Sequence, residues 1–245
     1  MPTRFYFPAT GYTYPPSLDV HTQPAYSGSW TIDPQPPPGR STLVFAVPNG
    51  TDGNYNQQRS DPGATNNPYY EDLQLFVSEP IPAFSFTTAQ TFAGQFLCLE
   101  QTTTTGDVCG GVVIRLMSND TATLRGTLLT WLPTVLGTPP DATTGTAWTG
   151  AATNRMVPPT LFVAGNTTGF NGDRLVIEIG YAIIDAGGGP PFNSAQGRIE
   201  FRATGTQDLP AGDQTSTDTT LNGWIEFSGD IFGGLGRTCR TRTTT

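Results

Sequence analysis

The feature that most constrains this chain is the alternation from Asp173 to Ile184. Leu175, Ile177, Ile179, Tyr181 and Ile183 fall on one side of an extended backbone, and Arg174, Val176, Glu178 and Gly180 fall on the other. A period of two places successive side chains on opposite faces of a strand. The same period recurs at Leu73–Val77, at Val112–Met117 against Leu124–Leu129, at Gly197–Ala203 and from Trp224. No stretch of twelve or more residues carries a 3.6-residue period, so helices are not expected.

Composition agrees. Of 245 residues, forty are Thr, 29 are Gly and 22 are Pro, while charged residues are only 13%. β-Branched Thr suits a half-buried pleated surface, and Gly and Pro fill turns. Disorder is the competing reading of such a chain. It is excluded by the strong alternation and by an aromatic content of 11%. The expectation is an all-β chain folded as a single β-sandwich, of jelly-roll type, with long loops and extended termini. Residues 1–40 read as an N-terminal arm with the first short strands, 41–232 as the sandwich and 233–245 as a tail. Strands are expected at Phe5–Phe7, Ser29–Ile32, Thr42–Val47, Phe84–Thr87, Phe92–Gln101 and Leu161–Val163, with a hairpin turn at Asn119-Asp120. Asn49–Asn67 and 133–157 read as long loops.

The residue inventory limits the chemistry. All twelve basic residues are Arg and the net charge is −8, so a phosphate-tracking surface is not expected and nucleic acid is not a foreseen partner. Without Lys there is no Schiff base and no phosphate-loop lysine. The single histidine, His21, lies in a Pro- and Tyr-rich segment without a nucleophile motif. Neither a zinc spacing nor a nucleotide fingerprint occurs. No cofactor, metal or catalytic residue is therefore assigned. No run of 18 apolar residues is present and the first residues lack a signal-peptide core, so the chain is expected to be made and assembled in a cytoplasm, away from membranes. In that setting Cys98 and Cys109, which flank an expected hairpin loop, read as buried free thiols, and Cys239 has no foreseen partner.

Paired carboxylates are the one catalytic route left open. Glu178, Glu200 and Glu226 sit mid-strand, and two of them ~5–10 Å apart in a cleft would suit glycoside hydrolysis. The plainer expectation pairs them with Arg174, Arg198 or Arg202 on a solvated sheet face. A loop with Asp208, Asp213 and Asp218 could offer oxygens to a calcium ion, although its spacing is not that of an EF-hand. An adhesion module would instead expose aromatics such as Tyr69, Trp131 or Trp148.

Several segments in order resemble a group of β-rich proteins of tailed bacteriophages and phage-like contigs. They are Pro2–Gly11, Leu124–Leu129, Thr153–Arg155, Gly172–Tyr181, Asp208–Pro210 and Asn222–Phe227. The resemblance implies a virion structural protein, such as a capsid decoration (cement) protein or a head or tail accessory subunit, and it brings no catalytic residues. The implied partners are other virion proteins, capsid or tail subunits, and further copies of the chain. The candidate contact residues are the N-terminal aromatics Phe5, Tyr6 and Phe7 and the C-terminal Arg237, Arg240 and Arg242. A carbohydrate-binding β-sandwich for host adhesion is the alternative.

Overall fold

The computed structural model describes residues 2–7, 27–29, 40–43, 52–60, 68–102, 107–136, 144–145, 147, 154–156, 161–184, 196–203, 207–212, 217 and 221–233. Among these there is no helix. In chain order the strands are β1 (Thr3–Tyr6), β2 (Arg40–Leu43), β3 (Asp52–Ser60), β4 (Tyr69–Ser78), β5 (Phe84–Phe86) and β6 (Thr91–Thr102). They continue with β7 (Asp107–Met117), β8 (Leu124–Trp131), β9 (Val135–Leu136), β10 (Thr144–Gly145) and β11 (Asn154–Met156). The last are β12 (Leu161–Phe162), β13 (Thr167–Gly169), β14 (Arg174–Ile184), β15 (Gln196–Ala203) and β16 (Trp224–Phe227).

Two main sheets form. One runs β1-β16-β6-β15-β3, with β11 and β12 also paired to β6; the other runs β2-β4-β14-β7-β8. The pairs are antiparallel except β2 with β4 and the small β9–β10 pair. Between the sheets lies one apolar core. Phe5, Phe92, Phe96, Ile199, Ile225 and Phe227 from the first sheet meet Phe76, Val112, Ile114, Leu175, Ile177 and Ile179 from the second. Phe7 joins the layers directly, 4.8 Å from Phe76 and 6.3 Å from Phe96 between ring centroids. The architecture is a β-sandwich.

The Asn119-Asp120 turn closes the β7–β8 hairpin as expected, with Ser118 N–H donating to Thr123 O and Thr121 N–H to Ser118 O. Four expectations change. Asp52–Ser60, read as loop, is strand β3, paired along its length with β15. Within the second expected loop, β9, β10 and β11 form short pairs. Cys98 and Cys109 do not flank a hairpin, because β6 and β7 belong to opposite sheets. Cys98 faces the interior core and Cys109 an apolar cluster with Ala182 and Ile184 on the far side of its sheet; both are buried free thiols. Finally, Ser29 is a turn residue rather than the start of a strand.

The outer face of the second sheet is also buried along its central strands β14 and β7. Every residue of β14 is inaccessible. Leu75, Val77, Met117 and Val176 form an apolar cluster on that face, and Cys109, Ala182 and Ile184 form another with Tyr70 and Leu136. A strand buried on both faces loses the clean alternation of apolar and polar exposure. The solvated face expected around Glu178 is therefore absent.

Candidate functional site

Strand geometry carries Glu178 to the outer face of β14, beside Val113 of β7 and Leu75 of β4. Two residues along and on the same face, Arg115 lies opposite Val176. The two form an ion pair in which the Glu178 side chain is 0% and the Arg115 side chain 8% exposed. Ser27 completes the arrangement: its N–H donates to Glu178 Oε1 at 2.8 Å and its hydroxyl donates to Oε2. A buried carboxylate needs such compensation, since an unpaired charge in this setting is costly. The partner of Glu178 is thus Arg115, not Arg174. The Arg174 guanidinium instead donates to Asn119 O and Ser78 O at 2.9 Å each and to Asn119 Oδ1 at 3.1 Å, tying the β7–β8 turn to the end of β4.

The second cluster lies on the outer face of the other sheet. Arg4 on β1 reaches Asp208 at 2.8 Å and Glu226 on β16 at 2.9 Å, with its guanidinium 3.9 Å from the Trp224 ring centroid. The Tyr6 hydroxyl donates to Asp208 at 2.9 Å. Burial and that hydrogen bond push the Tyr6 phenol up to about 12. Trp224 Nε1 donates to Leu209 O at 2.7 Å, and Leu209 N–H donates to Asn222 O and Asn222 N–H to Gln207 O around it. Both carboxylates are spent on neutralising Arg4, so the cluster pins the start of the acidic loop onto β1 and β16.

A third pair closes the end of the sandwich. Asp173 accepts from Arg125 Nε at 3.2 Å and from Phe170 N–H at 2.8 Å, and Arg125 lies 4.8 Å from the Phe170 ring centroid. Phe170 itself is 56% exposed.

The three mid-strand glutamates do not converge. Glu178 and Glu226 stand on the outward faces of opposite sheets. Glu226 and Glu200 are opposite Ala93 and Leu97 on either side of β6, roughly 13 Å apart along the strand and a further ~10 Å apart across it. The side chain of Glu200 lies outside the described residues, as do Arg202, Asp213, Asp218 and His21. Among the described residues no group of three or more His, Cys, Asp or Glu could hold a metal. Trp131, foreseen as an exposed platform, is a core residue at 1% exposure. Trp148 and the side chain of Tyr69 lie outside the described set.

The N-terminal aromatics are corrected in the same way. Phe5, Tyr6 and Phe7 are buried within this chain, because β1 pairs with β16 in the register Phe5 to Ile225 and Tyr6 to Trp224. They are core, and so do not form a free contact arm. Arg237, Arg240 and Arg242 lie outside the described residues. Sequence reasoning missed Arg4, Arg115, Ser27 and Glu100. Only Glu100 left a signal, as a carboxylate in line with the interior-facing Phe96 and Cys98.

No family model matches the chain, and no curated protein does. Similar solved structures include a CocE/NonD family hydrolase from Staphylococcus aureus, with TM-score 0.43 and 8% identity over 94% of this chain and 36% of that one. They also include the infectious bursal disease virus VP2 subviral particle, with TM-score 0.25 and 11% identity over 72% of this chain and 40% of that one. The Gx strain of the same virus gives TM-score 0.23 and 13% identity over 74% of this chain and 38% of that one. This chain spans about two fifths of the length of these structures or less. Similarity at these scores does not define a shared fold, and it assigns no activity.

Proposed function

We propose that this chain is a virion structural protein of a tailed phage, a head or tail accessory subunit such as a capsid decoration protein, which acts through contacts between subunits and without catalysis. The observation that carries the reading is how the described polar groups are used. Glu178, Glu226, Asp208 and Asp173 are each committed to an arginine that ties strands or turns together. A catalytic pair needs two carboxyl groups facing a shared cleft, whereas a particle subunit needs a rigid sandwich. The ordered resemblance of Pro2–Gly11, Gly172–Tyr181 and Asn222–Phe227 to tailed-phage proteins supplies the phage context.

Strand order supports a jelly-roll winding. β4, β14, β7 and β8 form one layer, and β6 carries β15 and β16 as well as β11 and β12 in the other. Following the chain, β4 to β6, β6 to β7 and β14 to β15 each cross between the layers, the kind of winding a jelly roll is built from, while β7, β8 and β14 stay in one layer.

Mass spectrometry of purified particles tests the proposal. The expected result is this chain in fixed stoichiometry to the major particle protein; its absence from washed particles would overturn it. Glycan-array binding by the isolated chain would favour an adhesion module instead. The burial of Trp131 already removes one of that module's foreseen platforms.

A further inference from the structure

Glu100 occupies an unusual place. It follows Phe96 and Cys98 on the interior-facing side of β6 and is 2% exposed. One carboxyl oxygen, Oε2, lies 3.5 Å from Val108 N–H, and the other, Oε1, is buried without a hydrogen-bond partner. Val108 belongs to β7, in the opposite sheet. The carboxyl therefore sits at the rim where the chain crosses between the two layers. Opposite it on β15 is Gly197, over which the Tyr181 ring packs so closely that a Cβ there would lie 2.6 Å from Tyr181 Cδ1.

Among the described residues, the charged and titratable groups near it do not neutralise it. Tyr181 of β14 faces it from across the core. Asp107, at the start of β7, is exposed and adds negative charge. Arg198 is one register step along β15, opposite Leu99, and so belongs to the other face of the sheet. Cys109 likewise faces the far side of its own sheet.

We propose that Glu100 is a proton-controlled latch on this rim: neutral, it allows the layers to close over it, and ionised, it parts the end of β6 from the start of β7. Burial, with Asp107 nearby, raises its carboxyl from the ordinary value of 4.5 to about 7. The sign follows from linkage. The closed rim holds the proton more tightly than the open rim, where the carboxyl titrates as in water. Opening is therefore least favoured below pH 4.5, grows as pH rises towards 7, and levels off above 7.

Hydrogen exchange of the full chain, followed by mass spectrometry of peptides covering residues 100–110, reads the opening. Rates in the wild type are divided by those in Glu100→Gln at the same pH, which cancels the intrinsic pH dependence of exchange. The ratio should be near one at pH 4.5 and rise at least about tenfold by pH 8, while peptides from β8 stay level. A ratio that does not change with pH would overturn the latch. A carbon-13 titration of the Glu100 carboxyl in the wild type tests it without any variant. A midpoint near 7 supports the latch, and one near 4.5 overturns it.

Discussion

Replacing Glu178 by glutamine would leave the Arg115 guanidinium charged, on a sheet face where its side chain is only 8% exposed. Water cannot compensate at that burial, and the amide cannot stand in for an anion. Breaking one partner of a buried pair costs about 3–5 kcal/mol. The loss of an ionic acceptor for the two Ser27 donors is part of that cost rather than a further sum. A domain of this size has about 5–15 kcal/mol of stability in all, so the variant should lose a large part of its resistance to urea. The double variant Arg115→Met, Glu178→Leu removes both charges and fills the space with apolar groups. It should recover most of the loss, to within about 2 kcal/mol of the wild type. Equilibrium urea unfolding of the wild type, Arg115→Met, Glu178→Leu and the double variant closes the cycle, with Glu178→Gln measured alongside and the denaturant slope checked for two-state behaviour. A cost below about 1 kcal/mol for Glu178→Gln, the figure for a solvated surface pair, would refute the reasoning. So would strictly additive single effects, since the pair would then not be acting as a unit.

Other variants probe the core and its strained points. Phe7→Ala should cost about 3–5 kcal/mol in the same unfolding assay, because the ring is fully buried between Phe76 and Phe96; a near-neutral result would return the N-terminal aromatics to the role of a free arm. Gly197→Ala drives a methyl into the Tyr181 ring and should cost about 1–3 kcal/mol, with partial rescue by a smaller residue at Tyr181; thermal unfolding reads both. Thr121 holds φ at 56° and buries a hydroxyl oxygen with no partner. Thr121→Gly should therefore raise stability by about 1 kcal/mol, seen as a higher melting temperature, since a β-branched residue is strained in the left-handed region.

Where apolar residues alternate, the sequence was a good guide. β14, β7, β8 and β6 carry enough β-branched and aromatic residues to announce themselves, and the Asn119-Asp120 turn has the chemistry of a hairpin. β3 was illegible for a physical reason. Asp52–Ser60 is almost wholly polar, and its place in the sheet comes from main-chain bonds offered by β15, far away in the sequence. The burial of the second face of β14 was equally hidden. Gly180 and Ala182 suit a covered surface, but Arg174 and Glu178 suggest water, and only contact with Ser27 and Arg115 reverses that reading. The ion pairs escaped notice because each joins strands distant in sequence. Arg4 reaches Asp208 across 204 positions. Of the candidate contact residues, Phe5 and Tyr6 do lie in a strand, with Phe7 just past its end. The error lay in supposing that a segment at the chain's beginning stays outside the core.

The pairing of β1 with β16 also bears on how the protein comes into being. β1 receives its neighbour only after more than two hundred further residues have been made, since Thr3 lies opposite Phe227 and Tyr6 opposite Trp224. At ordinary elongation rates of about 5–20 residues per second, Phe5 and Phe7 wait on the order of ten to forty seconds with part of their burial missing. The nascent chain must therefore shelter the aromatics of β1 until β16 has been made, and the sheet closes in a step dominated by contacts of long sequence separation, a class that folds slowly.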